Sequence, residues 1–157
     1  MVDAAEIQQR LLRKLAGGIS AEDLSGWARE VIARDAAEGP AIFASEEEIL
    51  RDVLKRCAIG TEPGFELGGE EIRRLLRRVA YSGPGLEPRG RREGPFLVAM
   101  RARMAPARAF PIVANCARCG AAVRASEKSL PKMLRSRGAL ACVWCARALP
   151  GTVVERA

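Results

Sequence analysis

Two cysteine pairs in the last third of the chain constrain its fold more than any other feature: Cys116-Ala117-Arg118-Cys119 and Cys142-Val143-Trp144-Cys145. Between Cys119 and Cys142 lie 22 residues. A CxxC segment closes a tight turn with both sulfurs on one side, and Gly120 after the first pair suits the backbone reversal that such a turn needs. Two turns brought together offer four thiolates in a tetrahedron, the closed geometry of a structural zinc site. A metal held this way has no open position for water or substrate. It supplies folding energy and takes no part in a reaction.

Other readings of the same cysteines stand beside zinc. Two disulfides would need an oxidising compartment. The chain instead opens Met1-Val2-Asp3 and runs into a charged amphipathic pattern, without the look of a secretory signal. No apolar run approaches the roughly 18 residues that span a bilayer. A cytoplasmic location is therefore expected, where paired cysteines act as metal ligands. A redox CxxC normally stands alone near a βαβ pattern. An iron–sulfur cluster also takes four thiolates, but two separated pairs flanked by strands favour zinc. Histidine is absent from all 157 residues. Any soft-metal site must then be thiolate-rich, and the commonest general base and its Ser-His and Cys-His pairs are missing. A non-enzymatic role is the expectation.

The order strand, knuckle, strand, second knuckle over residues 110–150 resembles the zinc ribbon family, with Cys116, Cys119, Cys142 and Cys145 at the ligand positions. The resemblance implies one structural Zn2+ and a binding function, since that family holds nucleic-acid-binding, protein-docking and purely structural modules. Between the knuckles the pattern departs from a plain ribbon. Residues from Ser126 to Gly138 read as a helix with Ser129 as N-cap, Pro131 in the first turn and Gly138 as the stop.

The first 81 residues read as four short helices. Ile7, Leu11, Leu12 and Leu15 share one face of a helix over about 3–16, which Gly17-Gly18 ends. Ser20 with Asp23 marks the next start, followed by Leu24, Trp27, Ala28, Val31 and Ile32, with an end near Asp35. Ser45 and Glu48 open a third helix with Ile49, Val53, Leu54 and Cys57 inward. The fourth begins at Gly69-Glu70 and lines up Ile72, Leu75, Leu76 and Val79. Trp27 and Cys57 read as core, and Glu46-Glu47-Glu48 and Glu70-Glu71 as acids favoured at helix starts. Gly18-Ile19-Ser20-Ala21-Glu22-Asp23-Leu24-Ser25-Gly26-Trp27-Ala28, with Pro63-Gly64-Phe65 and Glu70-Glu71-Ile72-Arg73, resembles small helical bacterial immunity or accessory proteins.

Residues 82–95 hold four glycines and three prolines and read as a basic linker. Residues 96–104 then read as a strand, with a short helix as the competing assignment, and 110–114 as a second strand. The fold class expected is α+β: an N-terminal helical bundle (1–81), the linker (82–95) and a zinc ribbon-like module with one inserted helix (96–157).

Charge divides along the same line. Residues 1–83 carry 12 Lys/Arg against 15 Asp/Glu, a net −3, and residues 84–157 carry 14 against 4, a net +10. Such asymmetry points the basic half at an anionic partner. The candidate nucleic-acid-contacting residues are Arg101, Arg103, Arg118, Arg124, Lys128, Lys132, Arg135 and Arg137, with Arg89, Arg91 and Arg92 in the linker. An arginine-biased solvated surface is the competing explanation. Aromatics that could stack on bases are few, at 4%. The sequence thus reads as a zinc protein that contacts nucleic acid within a transcriptional or nucleoprotein complex, with the helical part docking a protein partner. The alternative is a protein-only adaptor or immunity-type inhibitor.

Overall fold

The computed structural model describes residues 2–39, 47–80, 110–117, 122–138 and 140. Along the chain come α1 (Ala4–Leu15), α2 (Ala21–Glu38), α3 (Glu47–Ala58), α4 (Gly69–Ala80), β1 (Ile112–Asn115), β2 (Ala122–Ala125) and α5 (Leu130–Arg137). Among the described residues the fold is mixed α+β with helices dominant, and no helix is long and apolar enough to cross a membrane. Ser45, the linker at 82–95 and the strand expected at 96–104 lie outside the described residues.

Local chemistry sets the helix ends. Asp3 caps α1 by accepting the Glu6 amide at 2.8 Å. Gly17 follows α1 at φ +75°, a left-handed turn that lets the Gly18 amide reach the Arg13 carbonyl at 2.8 Å. The expected capping box starts α2: the Asp23 amide donates to Ser20 Oγ at 3.0 Å and the Ser20 amide to Asp23 Oδ2 at 2.9 Å. Those two bonds hold the Asp23 carboxyl below its ordinary pKa. The end of α2 differs from expectation. The helix runs past Asp35 through Ala36 and Ala37, strong helix formers, to Glu38. Asp35, an acid near the unfavourable end of the dipole, accepts from Arg51 Nε at 3.0 Å and Nη2 at 2.8 Å on α3.

The four N-terminal helices bury their apolar faces together. Ile7 and Leu11 of α1, Leu24 and Val31 of α2, Leu50 and Leu54 of α3, and Leu76 and Val79 of α4 are fully buried. Leu50 takes the inward place expected of Ile49, which is half-buried. Leu50, Val53, Leu54 and Cys57 then keep the spacing of a single helical face. On α2 the small Ser25 and Ala28 are buried, so α3 approaches closely. Ser25 Oγ donates to the Ala58 carbonyl at 2.6 Å and Arg29 Nε donates to the same oxygen at 3.0 Å. Side chains of α2 thereby satisfy a carbonyl that the end of α3 leaves without an intrahelical partner. Trp27, expected in the core, is half-buried at its edge with the Arg10 guanidinium 5.1 Å from its ring centre.

β1 and β2 pair antiparallel, with Ile112 opposite Ala125 and Asn115 opposite Ala122. Strands of four residues bury too little to stand alone. Here the hairpin packs against α4 and α1, and Ile112, Ala114, Val123 and Leu130 join the same buried cluster as Ile7, Leu11 and Leu76. The entry to α5 also differs from expectation. Ser129 has helical backbone angles (φ −85°, ψ −22°), and its hydroxyl caps no helix amide. Ser126 acts one turn earlier: its Oγ accepts the Ser129 amide at 3.3 Å and its carbonyl accepts the Leu130 amide at 3.2 Å. Gly138 ends α5 in the left-handed region at φ +70°, as expected.

Two substitutions test this packing. Leu76→Ala removes a fully buried side chain from α4 and is expected to destabilise the protein by about 2–5 kcal/mol. Ser20→Ala removes a cap and is expected to cost about 1 kcal/mol. Urea unfolding of both against the parent measures the two values; equal losses would contradict the assignment of Leu76 to the core.

Candidate metal centre

The first cysteine pair begins where β1 ends. Cys116 follows Asn115 directly and is 2% exposed, seated in the core beside the hairpin. Cys116 and Ala117, the first half of the first CxxC, are the described residues that follow β1. Cys119, Cys142 and Cys145 lie outside the described residues. Among the described residues no group of three or more potential ligands comes together.

One backbone contact bears on how the two pairs are related. The Ala117 amide, inside the first CxxC, donates to the Leu140 carbonyl at 2.9 Å. Leu140 is buried and precedes Cys142 by two residues. Leu140, two residues before Cys142 in sequence, thus lies beside Ala117 of the first pair. Of the four cysteines expected to bind zinc, the described residues include Cys116 alone; a four-thiolate set in a chain with no histidine would suit a tetrahedral Zn2+. Cys116, Cys119, Cys142 and Cys145 would hold it.

α1 packs against the end of β1. Gln8 is 4% exposed, with Ile7, Leu11 and Leu12 for neighbours on its helix. The Asn115 amide donates to Gln8 Oε1 at 2.9 Å, and Gln8 Nε2 donates to Asn115 Oδ1 at 2.6 Å. The backbone donor fixes which way the Gln8 amide faces. A buried amide left without such partners costs about 1–3 kcal/mol. Gln9 also donates to the Gly138 carbonyl at the end of α5. Between α1 and the residues that follow β1 remains a cavity of about 180 Å3, lined by Ala4, Ala5, Gln8, Leu12, Cys116 and Leu140.

The basic residues fall into distinct settings. Lys128, Lys132 and Arg135 are exposed on and just before α5, and among the described residues none of them has an acidic partner. Glu127, their acidic neighbour, is ion-paired with Arg73 of α4. Arg124 is half-buried and turns its guanidinium to the Phe110 carbonyl at 3.4 Å, within the hairpin. Arg137 is the last residue of α5. Arg101, Arg103 and Arg118 lie outside the described residues.

The remaining reactive groups have structural partners. Glu70 accepts from Arg73 at 2.9 Å, a bond that holds its carboxyl below the ordinary range, and Glu71 meets Arg56 at 3.2 Å. Cys57 is fully buried on α3, and burial pushes its thiol up to about 12, against a smaller opposing effect of Arg56. It is a small hydrophobe of the core, as its helical position implies. Sequence reasoning missed Gln8 and Asn115. The available signal was a lone amide set among apolar residues on the inner face of α1.

No protein-family model matches the chain, and comparisons with curated proteins and with solved structures found no match.

Thiol counting would separate the four cysteines expected to bind metal from Cys57. At pH 8 a thiol with a pKa near 12 is ionised in only about one molecule in ten thousand. Metal chelation without denaturant is expected to release four thiols to a thiol reagent, and unfolding a fifth. Five fast thiols in the folded, metal-loaded protein would contradict the assignment.

Proposed function

We propose that this chain is a non-enzymatic zinc protein whose basic surface around α5 contacts nucleic-acid phosphates. The observation that carries the proposal is the arrangement of Lys128, Lys132 and Arg135. All three are exposed, and the nearby acid that would neutralise them, Glu127, is held by Arg73. Cations that serve only solubility gain from interspersed acids. A cluster without them keeps a positive potential that attracts a polyanion.

The geometry of α5 adds to that potential. Lys128 precedes the helix, Lys132 lies in its first turn, and no acid occupies that turn. A lysine there opposes the helix dipole, so it does nothing for helix stability. The same end of a helix favours an incoming anion, and the lysines and the dipole then act together. The four-thiolate metal would have the role of stabilising the C-terminal part of the chain, to which α5 belongs. It would have no free coordination position, which is the reason for excluding a hydrolytic role.

Phosphate contact is expected mainly through charge. Few aromatics are present to stack on bases, so little sequence preference is expected. Binding should sit within a nucleoprotein or transcriptional assembly, where the helical part supplies contacts to protein.

Salt dependence is the test. Binding to duplex DNA and to RNA is expected to weaken steeply between low and physiological salt. Replacing Lys128, Lys132 and Arg135 together by Ala is expected to flatten the log–log slope by about 2–3. Absence of binding to both nucleic acids at low salt would reject the proposal and leave the protein-only adaptor reading in its place.

A further inference from the structure

We propose that the loop joining α3 to α4 is a protein-docking surface, with Phe65 as its anchor, and that it fits an apolar pocket rimmed by Lys or Arg side chains on the partner. The proposal rests on the reading that the helical part contacts protein, and it deepens that reading by naming the loop and the chemistry of the partner. It needs neither the metal nor the contact with nucleic acid.

Residues 59–68 leave α3 and return the chain to α4. Gly60 lets the two ends of the loop close on each other, since a Cβ there would meet the Leu67 side chain at 2.7 Å. At the tip, Pro63 and Gly64 are the central pair of a turn that the Phe65 amide closes by donating to the Glu62 carbonyl at 2.9 Å. Gly64 has φ +83°, the left-handed value that such a turn asks of the residue after proline. The Gly64 amide donates to Glu66 Oε1 at 3.2 Å. The Phe65 carbonyl accepts from Arg56 Nη1 at 2.8 Å, and Arg56 is held in turn by Glu71 of α4. Both backbone groups of Phe65 are therefore committed. The residue is fixed by its own turn and by α3, not by burial of its ring.

Among the described residues Phe65 is the large hydrophobic side chain that stays exposed, at 48%. A single apolar residue on a surface is ordinary; what sets this one apart is the backbone built to hold it. The turn needs no aromatic there, and a ring on a preorganised backbone loses little freedom on binding. The surrounding charge indicates what covers it. Glu62 and Glu66 are exposed, and among the described residues neither has an ion-pair partner. Bonds from its own amide and from that of Gly64 hold the Glu66 carboxyl below its ordinary pKa, so it is charged at neutral pH. A ring between two unmatched carboxylates complements an apolar pocket bordered by cations. The same carboxylates repel a polyanion, so this loop and the basic surface of α5 suit different partners.

The test uses the full chain in its host cells. Phe65 is replaced by the photo-crosslinking residue p-benzoylphenylalanine, and the same replacement at Ala37, an exposed residue of α2, serves as the control. Irradiation is expected to join position 65, and not position 37, to another protein. The crosslinked peptide is expected to map to apolar residues with Lys or Arg beside them. The purified partner is then expected to bind Phe65→Ala more weakly than the parent by about tenfold or more. Glu62→Gln with Glu66→Gln is expected to weaken binding less and to flatten its salt dependence. Because the ring is exposed, Phe65→Ala is expected to keep the parent's melting temperature, which separates lost docking from lost folding. A crosslink to a second copy of this chain, a crosslinked surface bordered by acids, or equal yield from positions 65 and 37 would overturn the proposal. A protein that binds the parent and Phe65→Ala equally would remove the role of this loop and leave the wider reading standing. No protein crosslinked from the loop and none retained by the parent chain would bring down both.

Discussion

The contact between α1 and the last residue of β1 is what the rest of the structure depends on. A pair of four-residue strands has one face and two edges to protect, and too few side chains to do it. The helical part solves both problems. Its apolar side chains complete the core behind Ile112 and Ala114, and the Gln8 amide closes the edge at Asn115. One hydrophobic cluster consequently contains residues from α1 and α4 and residues beside the first cysteine pair. The energetic meaning is that the hairpin strands are held by burial against the helices. Metal ligation by the cysteines that follow β1 would add to that burial.

Charge is arranged around that contact with some consistency. The acids of α4 are occupied: Glu70 meets Arg73, and Glu71 meets Arg56 and Arg74. Arg73 reaches further to Glu127, which ties α4 to the segment before α5. Exposed ion pairs of this kind contribute little to stability, typically under about 1 kcal/mol each. Their consequence is a pattern of potential. Positive charge on α4 is matched locally, and positive charge at Lys128, Lys132 and Arg135 is not. The unmatched group sits on the short helix that follows the hairpin, close in sequence to the cysteines whose metal would keep that region folded.

Much of the helical part was legible in the sequence because periodicity and capping are local. Ser20 with Asp23, the Leu and Ile spacing of α1 and α4, and Gly138 after α5 all act within a turn or two of the chain. What could not be read depended on distant partners. Nothing near Asp35 in sequence shows that Arg51 will donate to its carboxylate from α3. Ile49 and Leu50 are adjacent apolar residues, and only the position of α2 decides which one turns inward. Ser126 and Ser129 compete for the same capping role, and the path of the chain leaving β2 decides between them. Of the candidate site, cysteine spacing suggests the ligand set, and Cys116 is the one member of it among the described residues. The pairing of Gln8 with Asn115 was not legible, because the partner lies across the fold, though a single amide on an apolar face was a sign that a partner must exist.

X-ray absorption at the metal edge of protein purified without added zinc tests the central claim most directly. The account predicts one zinc per chain with a first shell of four sulfurs at about 2.3 Å. A shell containing nitrogen or oxygen ligands, or a chain that folds with no metal at all, would contradict it.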